Sequence, residues 1–104
     1  MVALHRRVFY GKVGTGGQLA EHVKQGLEKF RQYGLDLKGR VLVDHMSGRT
    51  DRVIAEWEGD SAGEIETGIN KVMSDPEAQK VFGPWFQKLS EMIHYAEAEN
   101  WDIV

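Results

Sequence analysis

The feature that most constrains this chain is the order in which two apolar periodicities follow one another along its 104 residues. Period-two stretches suit strands and three-and-four spacing suits helices, and here they run strand, helix, strand, strand, helix, strand. Residues 7–13 read as a first strand, with Val8 and Tyr10 on one face and Phe9 and Val13 on the other. The glycines between Gly14 and Gly17 break it. The spacing of Leu19, Ala20, Val23, Leu27 and Phe30 predicts a helix over 18–33, with Gly34 placed for a left-handed C-terminal cap. Residues 40–47 and 52–58 read as strands joined by a turn at 48–50, hence an antiparallel hairpin. A one-residue slip would exchange the faces of a whole strand. The pairing that groups Val41 and Val43 with Val53, Ala55 and Trp57 is preferred, because it gives one cleanly apolar face.

Ser61 and Glu64 match a capping box, in which hydroxyl and carboxylate each satisfy a free backbone N–H at a helix start. Ile65, Ile69, Val72 and Met73 form the stripe that follows, and Asp75-Pro76 restarts the helix with Asp75 as N-cap. Val81, Phe82, Trp85, Phe86, Leu89, Met92 and Ile93 continue the apolar pattern across Gly83-Pro84, where a kink is expected. Residues 94–104 read as the closing strand. Two strand-helix-strand units with right-handed crossovers make an α+β fold of ferredoxin-like type, β-α-β-β-α-β, as one domain over 1–104. Its four-stranded antiparallel sheet has the helices on one face. The uncovered face would be polar in a simple monomer, yet the preferred register puts Leu42, Met46 and Ile54 on it. Residues of this size are each worth roughly 1.5–3 kcal/mol when buried, so a homodimer packed through the sheet face is expected.

Composition narrows the function classes. The formal net charge of -3 lowers the expectation of a nucleic-acid partner or an anionic membrane surface. The absence of cysteine removes disulfides, thiol catalysis and thiolate metal sites, and suits a cytoplasmic setting. The first seven residues lack the apolar run of a signal peptide, and no stretch approaches the roughly 20 apolar residues of a membrane helix. Strand 52–58 lacks the basic-Gly-aromatic signature of RNA-recognition sheets and ends in acids. The glycine run before the first helix is no Walker loop; a flexible turn fits it better than an anion cradle on free N–H groups.

The candidate chemistry-bearing residues are few. His45, on an otherwise apolar strand, is a general-base candidate because imidazole titrates near working pH, although a strand-end histidine bonded to backbone or water is the plainer reading. Tyr10 is a candidate donor into a cavity. Trp57, with Trp85 and Phe82, supplies apolar surface for a small apolar molecule, and core packing is its simpler role. His94 and Tyr95 stand at the last helix-to-strand junction, and His22 beside the first helical stripe is expected to be partly exposed. Asp44 and Glu56 could face one another as paired carboxylates, or meet Arg40 and Arg52 as cross-strand ion pairs. No metal site is expected.

The run Asp75-Pro-Glu-Ala-Gln-Lys-Val-Phe-Gly-Pro-Trp-Phe86, the ending Asn100-Trp-Asp-Ile-Val104, the hairpin Asp44-His-Met-Ser-Gly-Arg-Thr-Asp-Arg-Val53 and the element order together resemble the dimeric α+β barrel superfamily, in its NIPSNAP-like and antibiotic-biosynthesis-monooxygenase-like groups. The resemblance implies a ligand cavity between sheet and helices. It also implies a cofactor-independent monooxygenase-like or isomerase-like enzyme acting on a small apolar or aromatic molecule, or else a non-catalytic ligand-binding or structural dimer. The superfamily's haem-degrading branch uses an Asn, a Trp and a His. Asn70, Trp57 and His94 are of those types but cannot be aligned with that branch, so no cofactor is expected.

Overall fold

The computed structural model describes residues 1–45 and 47–104. Its elements are β1 (Val2–Gly11), α1 (Gly16–Gln32), β2 (Lys38–Val43), β3 (Arg52–Gly59), α2 (Ala62–Met73), α3 (Pro76–Met92) and β4 (Ile93–Ile103). The strands form one antiparallel sheet in the order β2-β3-β1-β4, the ferredoxin-like arrangement. The hairpin pairs Val43 with Val53, Val41 with Ala55 and Gly39 with Trp57, which is the preferred register. Val53, Ala55 and Trp57 are buried against the helices, and the core continues through Phe9, Leu19, Val23, Phe30, Ile65, Val72, Phe82 and Leu89.

Three boundaries differ from the sequence reading. β1 begins at Val2 and stops at Gly11, because Ala3, His5, Arg7 and Phe9 alternate onto the helix side while Val2, Leu4, Arg6 and Val8 take the open side. Adjacent Arg6 and Arg7 hide that period-two pattern. Val13 lies outside the strand and is exposed. β2 ends at Val43, so His45 lies beyond it; the expected place of Met46 on the open face falls outside the described residues. α3 runs on through Gly83-Pro84, with Pro84 inside the helix.

The helix ends follow local chemistry. Ser61 Oγ accepts from the Glu64 amide, and Glu64 Oε2 accepts from the Asp60 amide, one residue before the cap. Asp75 accepts from the Glu77 amide, with Pro76 in the first turn. At the end of α1, Gly34 has φ 106°, and the Leu35 and Gly34 amides donate back to the carbonyls of Phe30 and Arg31. That is the paired-bond closure a glycine at this position permits.

The glycine run before α1 is neither free nor an anion site. Asp51 Oδ1 accepts from the Gly16 amide at 2.9 Å and Asp51 Oδ2 from the Gly14 amide at 3.2 Å. The chain's own carboxylate thus occupies the position an anion would take at a helix N-terminus. These backbone donors hold the Asp51 carboxyl below its usual range. A depressed folded-state value contributes stability that is complete above the ordinary aspartate pKa of about 3.9 and is lost as pH falls below it through the folded value. Asp51→Asn is therefore expected to lower the urea midpoint at pH 7, with the gap to the parent chain closing below about pH 4.

α1 and α3 are joined at one tight point. Trp85 Nε1 donates to the His22 carbonyl at 2.9 Å and His22 Nε2 donates to the Trp85 carbonyl at 2.8 Å. The two rings stack at 4.8 Å. His22 is thus buried and fixed, not partly exposed. A Cβ on Gly26 would lie 2.3 Å from the Trp85 ring, and the ring is tethered by its own bonds. Gly26→Ala is expected to destabilise the fold by about 1–3 kcal/mol despite alanine's better helix propensity, as read by urea denaturation.

Candidate functional site

The helix layer leaves a cleft of about 240 Å3 against the sheet. Phe9, Ala55 and Trp57 form its floor, Val23, Gly26 and Phe30 one wall, and Trp85 and Phe86 another. Phe86 is 46 % exposed, an apolar ring at the rim. Arg7 and Asn70 are the polar residues of the lining. They continue into an outer cleft of about 330 Å3 with His5, Asn100 and Glu66. The geometry follows from the strands: His5, Arg7 and Phe9 share the helix-facing side of the central strand β1. Arg7 lies in register with Ala55 on one side and Ala98 on the other, two small residues that leave room around it.

His5 Nδ1 donates to Asn100 Oδ1 at 2.8 Å. In the tautomer that makes this bond, Nε2 carries the lone pair. The ring lies near-parallel to Trp57, 6.2 Å centre to centre. His5 lies before the strand expected over 7–13 and within the observed β1. Alternation traced back to Val2 would have put it on the cleft side.

The expected site residues separate. Trp57 and Trp85 line the inner cleft, while Phe82 is packed behind it against Phe30 and Trp85. Asn70 and Trp57 both reach the cleft, but the exposed His94 is not part of its lining. Tyr10 points to the open face instead, stacked on Tyr95 at 4.4 Å with the Arg49 guanidinium 5.0 Å above its ring. Even-numbered β1 positions face away from the helices, which is why Tyr10 cannot enter the cleft. Burial, reinforced by the Glu97 carboxylate, raises the Tyr10 hydroxyl above its usual value. His45 is exposed in the β2–β3 connection. Neither Tyr10 nor His45 lines the cleft, so the structure does not assemble them into one site.

The open face has its own electrostatic order. Arg40, Glu56, Arg6 and Glu99 are in register across all four strands. Glu56 is 2 % exposed; Arg6 Nε donates to one carboxylate oxygen at 2.6 Å and Arg40 Nε to the other. Burial alone would raise the Glu56 carboxyl, but the two guanidinium groups overcome it and hold it below the usual range. Asp44 pairs with Arg52 at 2.7 Å. The two acids are thus ion-pair partners, not a carboxylate dyad. Among the described residues no cluster of three or more His, Cys, Asp and Glu could hold a metal ion, and no helix is long and apolar enough to cross a membrane.

No family model matches the sequence, and no curated protein does. Solved structures do match. A NIPSNAP family protein from Agrobacterium tumefaciens superposes with a TM-score of 0.77 at 17 % identity, covering 100 % of this chain and 94 % of that one. An uncharacterised NIPSNAP domain protein from Burkholderia xenovorans gives 0.76 at 15 %, covering 98 % and 94 %. SnoaB, a cofactor-independent oxygenase from Streptomyces nogalater, gives 0.65 at 11 %, covering 98 % and 92 %. At such identities the likeness speaks for the fold: this chain has the ferredoxin-like α+β fold of the NIPSNAP proteins and of the antibiotic-biosynthesis-monooxygenase type.

Proposed function

We propose that this chain binds a small apolar or aromatic molecule in the cleft between sheet and helices and acts on it without a cofactor, in the manner of a monooxygenase or an isomerase. The supporting observation is the cleft itself: an aromatic interior that opens, past Arg7 and Asn70, onto a histidine bonded to Asn100. Such a site excludes water from an apolar substrate while His5 Nε2 takes a proton from an acidic C–H or phenolic O–H. In an isomerisation the proton returns at another carbon. In an oxygenation dissolved dioxygen is the oxidant: a CH2 group becomes C=O and one molecule of water is released. A second reading, a ligand-binding protein without turnover, draws support from the inner cleft, where Arg7 is the one titratable lining group among the described residues.

Phenols and aromatic ketones are expected to raise the melting temperature. His5→Gln should cut any turnover by about 10²–10⁴-fold while leaving that thermal shift in place. Turnover unchanged in His5→Gln refutes the assigned role, and a thermal shift with no turnover in the parent chain selects the second reading.

The open face supports a homodimer as the working form. Val2, Leu42, Tyr95, Trp101 and Ile103 are exposed large apolar residues on this one side. The side also carries both signs of charge in alternation, so it can be complementary to a second copy of itself. Light scattering during size exclusion should give twice the 11.8 kDa chain mass, and Trp101→Glu should return it to the single-chain value.

A further inference from the structure

We propose that the cleft's ligand is an aromatic monocarboxylate, with its ring in the inner cleft and its carboxylate on Arg7. This rests on the reading of the cleft as a small-molecule site and adds the chemical class of the molecule. Arg7 stands apart from the chain's other arginines. Arg6 and Arg40 pair with Glu56, Arg52 with Asp44 and Arg31 with Glu28, and Arg49 bonds the Tyr95 hydroxyl and covers two tyrosine rings. Among the described residues Arg7 has no carboxylate, hydrogen-bond or aromatic partner, although it stands on the central strand between Ala55 and Ala98. It lines both the aromatic inner cleft and the polar outer one. Asn70, beside it in both linings, also makes no side-chain hydrogen bond among the described residues.

A guanidinium offers two parallel N–H donors that match a carboxylate, and an amide adds a third. The aromatic wall beside Arg7 takes the ring of the same ligand. Glu66 lines the same outer cleft, and its charge disfavours a second carboxylate there, which selects monoacids over diacids.

The test is titration of the 15N-labelled chain with 2-naphthoate and with the neutral 2-naphthalenemethanol, following the indole N–H signals. Trp57 and Trp85 report the cleft, and Trp101 on the open face is the control. The acid should move the Trp57 and Trp85 signals and bind about tenfold or more tighter than the alcohol. Arg7→Gln should erase that preference while leaving the alcohol's affinity within about twofold, and Arg7→Lys should restore part of it, since an ammonium gives charge without the fork. Equal affinity for acid and alcohol, or a preference that survives Arg7→Gln, overturns the carboxylate assignment while the small-molecule reading stands. Failure of both probes to shift Trp57 and Trp85, or shifts confined to Trp101, overturns both. Arg7 is exposed, and an unchanged amide spectrum of the variant verifies its fold.

Discussion

The contact on which the helix layer depends is the meeting of Trp85 with the backbone of α1 at Gly26. The indole lies where a side chain on α1 would otherwise stand, and two reciprocal bonds with His22 keep it there. Because an interior packed at crystal-like density has little slack, this point fixes how closely α1 and α3 approach. The cleft follows from it. One edge of the ring rests on α1, and the ring also closes part of the cavity beside Phe30 and Trp57. Trp85 is therefore both part of the candidate site's aromatic surface and the brace of the helix layer.

The two sides of the sheet solve opposite problems. The helix side excludes water with apolar groups and leaves its polar residues, His5, Arg7 and Asn70, at the cleft mouth. The open side buries a carboxylate in its centre. Desolvating Glu56 is tolerable because two arginines from flanking strands each engage one oxygen. Removing either arginine would leave a charge half-satisfied in a dry place. The row of alternating charges also fixes strand register, since a slip by one residue would turn Glu56 into the apolar core.

Much of this was legible from residue order. The element order, the hairpin register, the caps at Ser61 and Asp75 and the reversal at Gly34 each have a local cause, and each was read from the sequence. The site was legible only in part. Trp57 and Trp85 are at the cleft because strand and helix periodicities point them inward. His5 escapes notice because the strand begins five residues earlier than expected, whereas Arg7 falls within the expected strand but carries no motif that marks it as chemistry-bearing. Tyr10 and His45 were misplaced for related reasons: face depends on parity along a strand, and a strand's end depends on where its partner turns. His22 was read as partly exposed because its partner, the Trp85 carbonyl, lies 63 residues away and no local pattern announces it.

The Asp51 carboxylate that closes the start of α1 has a consequence for how the chain can vary. The residue holds a left-handed backbone, φ 62°, while its carbonyl receives the Gly11 amide and its side chain receives those of Gly14 and Gly16. One residue therefore staples the end of β1, the entry to α1 and the entry to β3. The exposed residues just before it are tethered too: Thr50 Oγ1 donates to Asp51 Oδ2, and Arg49 reaches the Tyr95 hydroxyl on the open face. A change at Asp51 would therefore loosen three segments of the chain at once.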